Sequence, residues 1–159
     1  VITGVRRCGK STLMEQWKAH LRTSGIGAER IIHINLEMME NEPLLEYHAL
    51  HDAVLSQCAG DAIHYVLLDE VQNVPDFQKA IDSLYVRPNI DLYITGSNAH
   101  LLSGTLATLL SGRYVEIKML PFSFSEYTEA HKGEATQTRL WSDFLHDGSF
   151  PAIMEATTV

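Results

Sequence analysis

The residues from Gly4 to Ser11 read Gly-Val-Arg-Arg-Cys-Gly-Lys-Ser and fit the spacing G-x-x-x-x-G-K-S/T. That spacing suits a chain of phosphates. Glycine lets the backbone wrap closely around an anion. Successive N–H groups, backed by the positive end of a following helix, then hold the charge. Lys10 would reach the β- and γ-phosphates, and the Ser11 hydroxyl would ligate Mg²⁺. Val5, Arg6, Arg7, Cys8 and Thr12 complete the expected nucleotide contacts. Cys8 admits two readings, a low-pKa thiol at a helix start or a packing residue beneath the loop; packing asks less of it.

A second candidate lies at Asp69-Glu70, which ends the apolar run Tyr65-Val66-Leu67-Leu68. An acid after an apolar strand holds Mg²⁺ in phosphate-loop proteins, and Asp69 suits that role. Glu70 would polarise an attacking water. On a regular strand adjacent side chains point to opposite faces, so the two acids must divide these roles unless the strand has ended. A third candidate is Tyr93-Ile94-Thr95-Gly96-Ser97-Asn98, where Ser97 or Asn98 could hydrogen-bond the γ-phosphate or the water. Gly-Ser-Asn is also ordinary turn chemistry. Arg113, in Ser111-Gly112-Arg113-Tyr114, suits an arginine finger acting in cis or from a neighbouring subunit, or a surface ion pair.

These residues need elements to hold them. Val1-Ile2-Thr3 reads as the tail of a strand whose beginning has been cut off, entering the loop. Leu13, Met14, Trp17 and Leu21 make one face of the helix leaving it. Four further strands are expected at Ile31–Ile34, Tyr65–Leu68, Ile90–Thr95 and Tyr114–Ile117. Their near-continuous apolar character suits strands covered on both faces. A looser helical pattern spans Leu44 to Leu55, with Pro43 suited to its first turn. Phe77, Ala80, Ile81 and Leu84 form another helical face, with Asp76 as a plausible cap. Strands alternating with helices predict an α/β fold built on a parallel sheet. After Pro121 two helical patterns follow, one around Tyr127 and one from Leu140 to Leu145. The expected organisation is therefore a P-loop core over 1–120 and a helical extension over 121–159, which would lead toward a C-terminal domain.

Taken together, Ile-Thr-Gly-Val-Arg-Arg-Cys-Gly-Lys-Ser-Thr, Leu-Leu-Asp-Glu-Val-Gln, Ile-Thr-Gly-Ser-Asn, Leu-Ser-Gly-Arg-Tyr and Leu-Pro-Phe-Ser-Phe-Ser-Glu-Tyr resemble the prokaryotic AAA-type ATPases that carry a C-terminal domain of unknown function. The resemblance runs from Val1 to about Ile153. Its Gly-Arg-Tyr and Pro-Phe-Ser-Phe segments narrow the match. It implies a five-stranded parallel sheet in AAA order, with the sensor strand beside the phosphate-loop strand. It also implies that Lys10, Ser11, Asp69, Glu70, Ser97 and Asn98 match an ATP site, with ATP and Mg²⁺ as ligands. The sequence begins inside the first strand, so adenine-contacting residues are expected upstream of it.

Composition bounds the alternatives. With 159 residues the chain suits one domain, burying about 69% of its unfolded surface, a core that needs no disulfide or metal staple. Hydrophobic residues make up 45% and charged residues 20%, which argues against global disorder. Lys plus Arg number 12 against 20 Asp plus Glu, a net charge of −8, so sequence-independent binding to nucleic acid is disfavoured. A local basic patch stays compatible with that balance. No apolar run approaches the roughly 18 residues of a membrane span. Two cysteines, Cys8 and Cys58, make no disulfide framework and suit a reducing, cytoplasmic setting. His48 and His51 share a helical face, but no third ligand follows at metal-site spacing. Trp17 and Trp141 suit core or partner-facing anchors better than base-stacking platforms. Two functional readings remain: an Mg²⁺-dependent ATPase, possible as a homo-oligomer, and a slow nucleotide-binding switch that controls a partner or effector domain.

Overall fold

The computed structural model describes residues 1–97, 114–131, 133 and 135–151. Its chain order is β1 (Ile2–Gly4), α1 (Lys10–Thr23), β2 (Ile31–Asn35), α2 (Tyr47–Leu55), β3 (His64–Asp69), α3 (Phe77–Tyr85), β4 (Ile90–Ser97), β5 (Ile117–Met119), α4 (Phe124–Ala130) and α5 (Gln137–Asp147). The five strands form one sheet in the order β2-β3-β4-β1-β5, and every pairing is parallel. β4, the strand the resemblance implies to be beside the phosphate-loop strand, lies between β1 and β3. Register aligns Gly4 with Ser97, and Asn35 with Asp69, so the candidate residues leave one edge of the sheet. In open α/β sheets ligands bind at that carboxyl edge.

Period-two alternation explains the apolar runs. Val66 and Leu68 pack with Ile32, Ile34 and Ile94 against Leu50, Val54, Ile81 and Leu84 of α2 and α3. Leu67 points the other way, into a second cluster with Ile2 and Met14. Trp17 packs there against Tyr93, ring centroids 5.6 Å apart. One strand thus anchors both layers of helix.

Three local expectations are corrected. The strand expected at Tyr114–Ile117 is displaced: β5 runs from Ile117 to Met119, where it pairs in parallel with Ile2, Thr3 and Gly4 of β1, and Val115 meets only the Val1 amine ahead of that ladder among the described residues. Val115 is left 77% exposed. Pro43 does not open α2. It sits inside a 3₁₀ segment, Met39–Leu44, where its missing N–H removes no α-helical bond. The helix starts after Glu46, whose backbone is extended and whose carboxylate accepts the Ala49 N–H at 3.0 Å. Asp76 occupies the position before α3 without capping it. Its φ of 56° is left-handed, and its carboxylate takes the Lys79 ammonium at 2.7 Å instead.

Beyond the sheet, α4 opens with a reciprocal capping box between Ser123 and Glu126. Phe124 meets Trp141 edge-on at 4.7 Å, and Tyr127 meets Phe144 at 5.4 Å, joining α4 to α5. Trp141 remains 47% exposed. The Phe122 N–H donates to the Ser149 carbonyl, and Pro151 reaches the rim of the phosphate loop.

Candidate nucleotide-binding site

β1 delivers the chain into a turn that only certain residues can make. A Cβ on Gly4 would lie 2.6 Å from the Cys8 sulfur and 2.6 Å from the Met119 carbonyl oxygen, so the loop closes only over glycine. Gly9 stands at the N-cap of α1 with φ 98°. Cys8 is buried, its sulfur packed beneath the loop. Gly9 brings no side chain to cap α1, and the helix's first turn carries no acid. The leading N–H groups and the positive helix end are therefore available to an anion.

Lys10 is buried within this turn. Its Nζ donates to the carbonyls of Val5 at 3.3 Å and Gly4 at 3.4 Å, and lies 3.7 Å from Glu70 Oε1. A cleft of about 260 Å³ opens over Arg7, Gly9, Lys10, Ser11, Thr12 and Glu70. A larger one of about 520 Å³ shares Ser11 and Thr12 with it and extends to Asp69, His33 and Asn35. Arg6 turns outward to Glu37 at 2.9 Å, an exposed pair of small energetic value. Val5 is exposed as well.

The acidic pair sits where β3 ends. Asp69 is fully buried. Its Oδ1 accepts from the Thr95 hydroxyl, while Oδ2 has no hydrogen-bond partner among the described residues. A buried carboxylate oxygen without a partner is costly, and a cation would satisfy it. Glu70 is the first residue past the strand and takes a left-handed conformation, φ 57°, ψ 48°. Strand alternation therefore no longer governs its direction. Its N–H donates to Thr95 Oγ1 at 3.1 Å, its Oε1 faces Lys10, and its Oε2 accepts from the Gln72 amide.

Lys10, Ser11, Thr12, Asp69 and Glu70 are thus brought to one edge. Ser97 closes β4 in register with Gly4. Asn98 and Arg113 lie outside the described residues. Thr95 and Gln72 were not singled out by sequence, although a hydroxyl inside a buried apolar strand was a usable signal. The histidines considered as ligands point elsewhere: His51 bridges Asp52 and Ser83 at 3.0 Å each, and His48 packs on Tyr47.

With this geometry in place, comparison with known proteins is decisive for the family. A profile of the AAA domain matches residues 1–128. This chain belongs to the AAA domain family. The AAA domain here is a P-loop unit of the nucleotide-binding kind. An uncharacterized protein of Haemophilus influenzae is 42% identical over 161 residues, covering 98% of this chain and 40% of that protein. An uncharacterized protein of Methanocaldococcus jannaschii is 30% identical over 168 residues, covering 96% of this chain and 35% of that protein. The AAA chain thus spans two fifths or less of these curated relatives. Among solved structures, Caenorhabditis elegans PCH-2 superposes with a TM-score of 0.57 at 19% identity, over 92% of this chain and 40% of that one. The Aeropyrum pernix ORC1 protein, solved in complex with DNA, gives 0.55 at 15% identity, over 87% and 42%. At these identities the likeness is one of fold.

Proposed function

We propose that this AAA domain binds ATP with Mg²⁺ and hydrolyses it to ADP and phosphate. One observation carries the reading: Asp69, with a buried oxygen that has no partner among the described residues, lines the same cleft as Ser11, at the helix terminus that holds Lys10. The donor set, a carboxylate and a hydroxyl beside an anion site, suits Mg²⁺. Ser11 and Asp69 would hold the ion, which when bound offsets phosphate charge. The loop N–H groups from Val5 to Thr12 would cradle the phosphates. Lys10 would exchange its present carbonyl partners for β- and γ-oxygens. Glu70 would orient the water and take its proton as oxygen bonds to the γ-phosphorus and the bond to ADP breaks. Ser97, Asn98 and Arg113 keep their proposed roles as sensors and finger. A core over 1–120, an extension over 121–159, self-association, an effector domain and a cytoplasmic setting belong to the same proposal. Among the described residues no helix is long and apolar enough to cross a membrane.

One observation favours the slower, switch-like reading. Glu70 Oε1 faces Lys10 at 3.7 Å and Oε2 accepts from Gln72, so a water would compete with both groups for the carboxylate in this arrangement. Turnover decides between the two. Glu70→Gln should retain ATP on a desalting column while phosphate release at saturating ATP falls by roughly 10²–10⁴-fold. Wild-type release in the mutant would remove Glu70 from catalysis. Negligible release by the unmodified full chain, with nucleotide retained, would establish the switch.

A further inference from the structure

We infer that Thr95 is a positioning residue for both carboxylates, its one hydroxyl fixing which Asp69 oxygen faces the metal position and how Glu70 leaves the sheet. The inference rests on the Mg²⁺-ATPase reading above. Thr95 is fully buried in β4, one register step beyond the Leu68–Ile94 pair and therefore beside Asp69. On its other side it is paired with Ile2 of β1, so the strand that carries it is held from both flanks.

The hydrogen bonding has a fixed sense. A hydroxyl owns one proton and two lone pairs. The Glu70 N–H can only donate, so Thr95 Oγ1 accepts from it at 3.1 Å and spends its proton on Asp69 Oδ1. Among the described residues no other hydrogen bond reaches the Asp69 carboxylate, and Oδ2 stays free. Without the hydroxyl, the two Asp69 oxygens would become interchangeable by rotation. The same group pins the main chain of a glutamate in a conformation that side-chain-bearing residues seldom adopt. The orientation of Glu70 toward Lys10 follows from that backbone.

Thr95→Val keeps the β-branched shape and removes the hydroxyl. In the full chain, kcat should fall by roughly 10–100-fold with little change in KM for ATP, the usual span for groups that orient metal ligands. The Mg²⁺ concentration that half-saturates nucleotide binding, read by titration without turnover, should rise by a similar factor. ATP affinity in excess chelator should not move. Thr95→Ser, which restores the hydroxyl, should recover most of both losses. In an Asp69→Asn background the Val substitution should shift the Mg²⁺ midpoint no further. If thermal unfolding shows Thr95→Val to be unfolded, Thr95→Ala carries the same comparison. A folded Thr95→Val or Thr95→Ala with wild-type kcat and Mg²⁺ midpoint overturns the inference alone. A wild-type chain with neither turnover nor Mg²⁺-dependent nucleotide binding overturns the ATPase reading and, with it, this assignment.

Discussion

Lys10 is a cation buried in a turn made mostly of main chain. Two carbonyls and one carboxylate at 3.3–3.7 Å are its compensation, all at long range for hydrogen bonds. Such an ammonium would gain from shorter, charged partners, and phosphate oxygens provide them. Lys10→Ala should therefore abolish tight ATP binding in isothermal titration, while the fold, which uses the Lys10 side chain for little else, persists in circular dichroism. Unchanged affinity would remove the phosphate-loop reading. At this scale the sequence was informative wherever chemistry is local: glycine spacing, Lys10 and Ser11 are readable because a turn and its helix are contiguous. Thr95 and Gln72 were not, since their roles depend on register between β3 and β4 and on where β3 stops. Glu70 shows the limit most clearly. Its left-handed backbone, a conformation costing about 1–3 kcal/mol, goes with a bond to Thr95 across the sheet that no local pattern announces.

Elements whose patterns reflect their own burial were legible, and those fixed by a partner were not. β3 reads correctly because both its faces are covered, whereas β5 is placed by β1 and not by its own apolarity. The S-x-x-E spacing of Ser123 and Glu126 was a helix-start signal lying in plain sequence. The Ser123 hydroxyl and N–H both donate to the Glu126 carboxylate and hold it below the usual carboxylate range. A pKa lowered by folding contributes stability above the unfolded value, which is lost as pH falls through the folded one. Melting temperatures of wild type and Glu126→Gln should therefore differ near neutral pH and converge in acid, below the ordinary carboxylate range. Ser123→Ala should cost about 1 kcal/mol, the common value for an N-cap, read from urea unfolding of the full chain. Parallel curves for wild type and Glu126→Gln across the acid range would show that the Glu126 charge contributes nothing.

At the scale of the whole molecule, strand direction gathers the candidate residues at one edge. All five strands run parallel, so the phosphate loop, Asp69 and the end of β4 share the carboxyl edge. Arg113 itself lies outside the described residues, but Tyr114 and Val115 after it line a groove with Val1 and Ile90, at the amino edge. The chain then enters β5 at Ile117, opposite Ile2, and reaches the level of Gly4 only at Met119. Two strand steps, at about 3.3 Å each, thus separate Ile117 from the loop's level. The finger role proposed for Arg113 admits action in cis or from a neighbouring subunit. A finger contacts charge that develops in the transition state, so Arg113→Ala should slow phosphate release while leaving ATP affinity nearly intact. Acting in trans, it should also make wild-type specific activity rise with protein concentration. Mixing Arg113→Ala with Lys10→Ala chains tests this directly: one supplies an intact nucleotide site, the other an intact arginine. The mixture should release phosphate faster than either variant alone. Activity that neither rises with concentration nor recovers on mixing would place the arginine in cis or outside the reaction, and a melting temperature lowered with turnover per folded molecule unchanged would make Arg113 a structural residue.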